Sequence, residues 1–123
     1  MAFVAQLDPA GGTLVAYVGT FLIFALGYSV TAHIAARYVL GEVSARRALL
    51  VGPVPAAASV LLQHYGPAIT IGVTMFGDYL AIRSAYRLNY RLAGLVAVIH
   101  YTVTVIAGIT LVNLVGLLGT APT

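Results

Sequence analysis

The sequence predicts an all-α membrane protein: four transmembrane helices in two hairpins, the second helix kinked or broken at Gly52-Pro53-Val54-Pro55, both termini extracellular. Three observations lead there. Of 123 residues, 61% are hydrophobic and only 7% are charged, whereas a soluble domain carries about 25% charged residues. So little charge cannot cover a globule, and lipid must be the main solvent. Second, the apolar segments match the roughly 30 Å of a bilayer's hydrocarbon core. Third, the basic residues are Arg37, Arg46, Arg47, Arg83, Arg87 and Arg91, all in or near two of the three connections.

The elements run in order, as one transmembrane domain. Residues 1–12 contain no Lys or Arg, whereas a secretory signal needs a basic stretch before a short apolar one. The first apolar run is too long for that role and its basic residues come after it, so a retained helix is expected over 13–38. Gly41-Glu42-Val43-Ser44-Ala45-Arg46-Arg47 is a short polar connection. Glu42 and Arg46 have the spacing that supports a helical turn, and Ser44 is placed to cap the next helix. That second helix is expected over 48–65. Pro53 and Pro55 remove two amide donors and disfavour α geometry at the residues before them. His64-Tyr65-Gly66-Pro67 turns the chain. The third helix is expected over 68–88 with Asp78 and Arg83 inside its apolar pattern. Asn89-Tyr90-Arg91 forms a tight turn, and the uncharged fourth helix covers 92–118, ended by Gly119 and Pro122.

The loops set the orientation. Connections one and three carry the arginines, while the second connection and both termini carry none. By the positive-inside rule the termini face out and the arginine-bearing loops face the cytoplasm. A re-entrant second segment would put the two basic loops on opposite sides, which the rule disfavours. Gly27 and Arg37 recur as Gly77 and Arg87, but too few other positions match to indicate a duplication.

Depth can be counted from the boundary arginines. Tyr28 lies nine positions before Arg37, Asp78 nine before Arg87, and His100 nine after Arg91. At about 1.5 Å per residue all three sit roughly 13 Å into the hydrocarbon. Nine positions after Arg47 is Ala56, beside the proline pair, and Tyr79 and Tyr101 adjoin the same level. A lone carboxylate at that depth costs about 3 kcal/mol on insertion scales, so Asp78 must be neutral, hydrogen-bonded, or paired with His100 or Arg83. Interhelical glue is the expected role of this cluster. A proton or cation site is the alternative, since carboxylate and imidazole are the groups that pumps and transporters place there.

Tyr79, Arg83, Tyr86, Arg87 and Tyr90 fall on one side of the third helix, with Arg91 just beyond. Such a face can hold an anionic lipid headgroup, although snorkelling arginines and an interfacial aromatic belt account for it more simply. His33, His64 and His100 lie at different depths without zinc-ligand spacing on one helix, so no metal or cofactor is expected. There is no cysteine, and none of the common hydrolase, metalloprotease or nucleotide-binding motifs is present. No enzyme activity is expected. A net charge of +3 without a dense basic run argues against nucleic acid as a partner. Small pairs (Ala25/Ser29, Ala32/Ala36, Ala93/Ala97, Thr104/Gly108) allow close helix packing within or between chains.

The arginine-only basic set, with Ala48-Leu49-Leu50-Val51-Gly52-Pro53-Val54-Pro55, Gln63-His64-Tyr65-Gly66-Pro67 and His100-Tyr101-Thr102-Val103, resembles a group of short haloarchaeal integral membrane proteins of unknown function. The resemblance covers nearly the whole chain and implies an archaeal cell membrane, with no mechanism attached. Two other four-helix groups do not fit. Small multidrug exporters carry an essential Glu in the first helix, which here has no carboxylate, and fluoride channels assemble as inverted pairs, which the strong arginine bias opposes. The functional expectation is therefore a small scaffold or accessory subunit in the bilayer, packing with a membrane partner or as a homo-oligomer. A small proton- or ion-coupled transporter or channel using Asp78 and His100 is the alternative.

Overall fold

The computed structural model describes residues 13–120; Asp8 and the helix-ending role expected of Pro122 lie outside that range. The described chain is helical, with no strand among the described residues. Its elements are α1 (Leu14–Leu40), α2 (Ala45–Val51), α3 (Pro53–Leu61), a single 3-10 turn (Gln63–Tyr65), α4 (Pro67–Tyr86) and α5 (Tyr90–Thr120). By length and composition α1 and α5 are each able to cross a membrane.

Local chemistry sets most of the ends. Thr13 caps α1 by accepting from the Ala16 amide at 3.0 Å, satisfying one of the amides that a helix start leaves unpaired. Gly41 closes it at φ 85°, a conformation that favours glycine. Ser44 caps α2 as its position suggested, accepting from the Arg46 amide at 3.2 Å. The second segment therefore begins at Ala45, three residues before its expected start, and Arg46 and Arg47 lie in its first turn instead of in a loop. Pro67 occupies the first turn of α4, where a missing amide costs nothing. That helix stops at Tyr86 because Arg87 turns left-handed at φ 53°, and the Leu88 amide returns to the Arg83 carbonyl at 3.0 Å. Asn89 then caps α5 through Leu92 N–H···Oδ1 at 2.8 Å. The expected stop at Gly119 does not occur, for α5 continues through it to Thr120.

The proline pair behaves differently from expectation. Gly52 keeps right-handed helical angles (φ −51°, ψ −44°), and Val54 is helical too. The Gly52 amide donates to Ala48 O at 2.9 Å, and the Ala56 amide donates to Gly52 O at 3.3 Å. Backbone hydrogen bonds thus bracket both prolines, and α2 and α3 form one kinked rod. Two physical reasons apply at Gly52, whereas Val54 carries a Cβ and is helical before Pro55 without either. Glycine lacks the Cβ whose clash with a following proline ring disfavours helix. It is also the point where α1 crosses: a Cβ built on Gly52 would lie 1.9 Å from Ser29 Oγ and 2.3 Å from Ala25 O. Close approach at small residues is the rule for such crossings.

Around the bundle, α1 packs on α2, α3 and α5, and α4 packs on α2, α3 and α5. One apolar cluster joins Ala32, Ala35 and Ala36 of α1 to Ala48 and Val51 of α2, Ile82 and Tyr86 of α4, and Val96 and Ala97 of α5. It draws together the C-terminal ends of α1 and α4 and the N-terminal ends of α2 and α5. Those are the ends that carry Arg37, Arg46, Arg47, Arg83, Arg87 and Arg91.

Candidate functional site

Asp78 projects from the middle of α4 and His100 from the third turn of α5, and both are almost wholly buried, at 2% and 1% exposure. His100 Nδ1 and Asp78 Oδ2 are 2.5 Å apart. The carboxylate thus pairs with the imidazole. Arg83 turns elsewhere, its guanidinium carbon 4.0 Å above the centre of the Tyr90 ring.

The other ring nitrogen determines how many protons the pair holds. His100 Nε2 is 2.8 Å from Thr31 Oγ1. That hydroxyl also lies 3.1 Å from Tyr28 O and accepts from Thr104 Oγ1 at 3.2 Å. A hydroxyl has one proton to donate and two lone pairs to accept with. Where Thr31's proton goes to Nε2, the pair holds one proton. Where it goes to the Tyr28 carbonyl, Nε2 donates instead, Nδ1 and Oδ2 share a second proton, and the pair carries no net charge. That is the inexpensive way to bury a carboxylate.

Aromatic rings flank the pair. Tyr28 meets His100 edge-on at 6.3 Å between ring centres, and Tyr101 lies tilted at the same separation. Tyr28 Oη is 3.5 Å from Ser59 Oγ, and the Tyr101 hydroxyl donates to Met75 O. Tyr79 is set apart, its hydroxyl donating to Tyr90 O at 3.2 Å.

Beside the pair lies a cavity of about 330 Å³, lined by residues of α1, α3, α4 and α5 that include Tyr28, Ser59, Thr74, Asp78, His100 and Thr104. Two of its lining residues contain a buried polar atom without a hydrogen-bond partner: Asp78 Oδ1 and Thr74 Oγ1. They are four positions apart on α4, hence neighbours on one helix face. An orphaned oxygen on a buried carboxylate is costly, which sets this site apart from a fully satisfied packing contact.

The arginine face divides. Arg83 and Tyr90 stack, but Tyr90 belongs to α5 and reaches Arg83 across the turn. Tyr86 is only 4% exposed and lies in the apolar cluster, which removes it from the set expected at a lipid headgroup. It shares the inward face with Ile82, one turn away. Arg87 and Arg91 are exposed. No cluster of three or more His, Cys, Asp or Glu side chains occurs among the described residues.

Thr31, Thr74 and Thr104 do not stand out in the sequence because threonines in helices usually bond their own preceding turn. A weak signal exists: Thr31 is three positions from Tyr28, Thr74 four from Asp78, and Thr104 four from His100. Each therefore shares a face with a residue that the depth count singles out.

Residues 11–122 match the model of a family described as "Family of unknown function (DUF7473)". No curated protein and no solved structure matches the chain.

Proposed function

The chain belongs to this family of unknown function, DUF7473, and we propose that it is a four-crossing membrane protein that carries protons through the His100–Asp78 pair, as a small proton-coupled transporter or channel. Several features support the crossings. The α2–α3 rod and α4, of 20 residues, pack alongside α1 and α5, and 20 residues rise about 30 Å. Gathering of the arginine-bearing ends supports a common cytoplasmic side, with both termini opposite. An archaeal cell membrane is the setting that the sequence resemblance implies.

One observation carries the functional reading: a buried carboxylate with one oxygen bonded to an imidazole and the other unpartnered, at a cavity. A buried polar network rigidifies a core when its members are satisfied. This one leaves a carboxylate acceptor over at a cavity, and carboxylate and imidazole are the groups that exchange protons inside membranes. No enzymatic role is proposed.

The accessory-subunit reading has its own support, because every residue of α5 from Gly108 to Thr120 is exposed. A partner helix or lipid would cover that surface. The two readings separate in liposomes containing the purified protein and an internal pH indicator, under an imposed membrane potential. Proton flux is expected from the native chain, with at least a tenfold loss in Asp78→Asn and no change in its size on gel filtration. Flux that is absent, or indifferent to Asp78→Asn, returns the chain to a scaffold role.

A further inference from the structure

We infer that the cavity beside the pair binds a small organic ammonium ion in exchange for the pair's proton. The inference rests on the proton-carrying reading above and names the substrate class.

Size and lining come first. At about 330 Å³ the cavity is far larger than a bare inorganic cation and falls at the lower end of sites for small organic molecules. Pro55, Ile71, Met75 and Val105 supply apolar wall, and the Tyr28 and Tyr101 rings lie among them. Aromatic faces attract quaternary and protonated amines. Ser59 Oγ donates to Pro55 O at 2.8 Å and Thr70 Oγ1 to Leu62 O at 2.6 Å, so neither hydroxyl turns its proton against a cation, and it is the cavity's size and apolar wall that favour an organic one.

Charge comes second. With two protons the pair is neutral. Removing one leaves a neutral imidazole beside a carboxylate, and the site carries one net negative charge. No Lys or Arg lines the cavity to balance it. Besides the pair, the titratable groups that line the cavity are Tyr28 from α1 and Tyr101 from α5, and α3 has none; His33, Arg37, Arg83 and Arg91 belong to the same packed elements but lie outside the lining. Apart from the pair, the lining therefore supplies no positive charge. A cation in the cavity does, and in this apolar setting its attraction to the carboxylate acts across several ångströms without direct contact. The exchange balances: protonated pair plus ammonium gives ammonium-bound carboxylate, neutral imidazole and one proton released to water. Proton and cation exclude one another because they neutralise the same charge.

The test uses the purified full-length protein in detergent, weakly buffered, with tetraethylammonium as probe. Saturable binding is expected by calorimetry, with about one proton released per cation at the pH indicator and affinity falling about tenfold per unit of acidification below the release range. Asp78→Asn is expected to lose both binding and release. Should that variant fail to fold, Val105→Trp serves instead, since Val105 lines the cavity on its exposed side. It is expected to weaken binding at least tenfold with the melting temperature unchanged. Equal proton release by sodium chloride would overturn the organic-cation assignment, and so would tetraethylammonium binding without proton release or indifferent to both substitutions. If Asp78-dependent proton flux in liposomes persists while tetraethylammonium does nothing, this inference fails and the proton-carrying reading stands.

Discussion

The two halves of the bundle are built to different standards. Toward the arginine-bearing end, alanines and β-branched residues interlock: Ala32, Ala35 and Ala36 on α1, Val51 on α2, Ile82 on α4, and Ala93 and Val96 on α5 are all fully buried. Toward the opposite end the packing thins. Buried positions on α1 begin only at Ala25, those on α4 begin at Asp78, and those on α5 stop at His100. The α2–α3 rod alone stays buried further, to Val60, with Gln63 beyond it. The His100–Asp78 pair is thus the last buried layer of α4 and α5 and the floor of the space above it. A titratable pair in the middle of a uniform core would be sealed in. Here one side is closed by close packing and the other meets a cavity.

Substitutions can break or sharpen that contrast, and four are ordered by expected size. The largest effect belongs to the boundary layer. His100→Ala leaves Asp78 buried without a partner and is expected to cost about 3–5 kcal/mol, whereas the double variant Asp78→Leu/His100→Leu should cost much less than either single change. Thermal unfolding in detergent of the native chain, the double variant and its components Asp78→Leu and His100→Leu checks this, and additive losses would contradict a coupled pair. Next, Ile82→Ala in the packed half should cost about 2–5 kcal/mol, while Ile71→Ala in the open half, where that side chain is 57% exposed, should stay within about 0.5 kcal/mol. Similar losses at both positions would erase the distinction between the halves. Third, Gly52→Ala forces a methyl group against Ser29 and the α1 backbone. About 1–3 kcal/mol is expected from overpacking, partly recovered in Ser29→Gly/Gly52→Ala, and a melting curve for each variant measures the rescue. The smallest effect is Tyr90→Leu, which removes the ring beneath Arg83 at about 0.5–1 kcal/mol and should leave proton flux as it was.

Much of this architecture is legible in the residue order, and the depth count shows why. Helices rise by a constant step, so equal distances from the boundary arginines put Tyr28, Asp78 and His100 at one level before any packing is known. Ser44 announces its cap because a hydroxyl just ahead of an apolar run has few other uses. Rotation about the helix axis is harder to read than height. Spacing groups Tyr86 with Arg83 and Tyr90 on an outer face, yet it shares the inward stripe of Ile82, and in a segment apolar on every side no periodic contrast distinguishes the two. Gly52 misleads for a different reason. Rules for residues preceding proline describe side chains with a Cβ, and glycine both escapes that clash and lets another helix occupy the space. Contacts between distant segments, such as Thr31 with His100, carry no local signature at all.

The crossing at Gly52 has a mechanical consequence. Backbone touches backbone there, leaving no slack for the kinked rod to slide along α1, since any shift brings a larger residue to the point of contact. What remains is rotation about that point, as with scissors about their rivet. Displacement about such a point grows with distance from it, so a tilt would be felt least at the alanine-rich end and most at Ser59 and the far turn of α3.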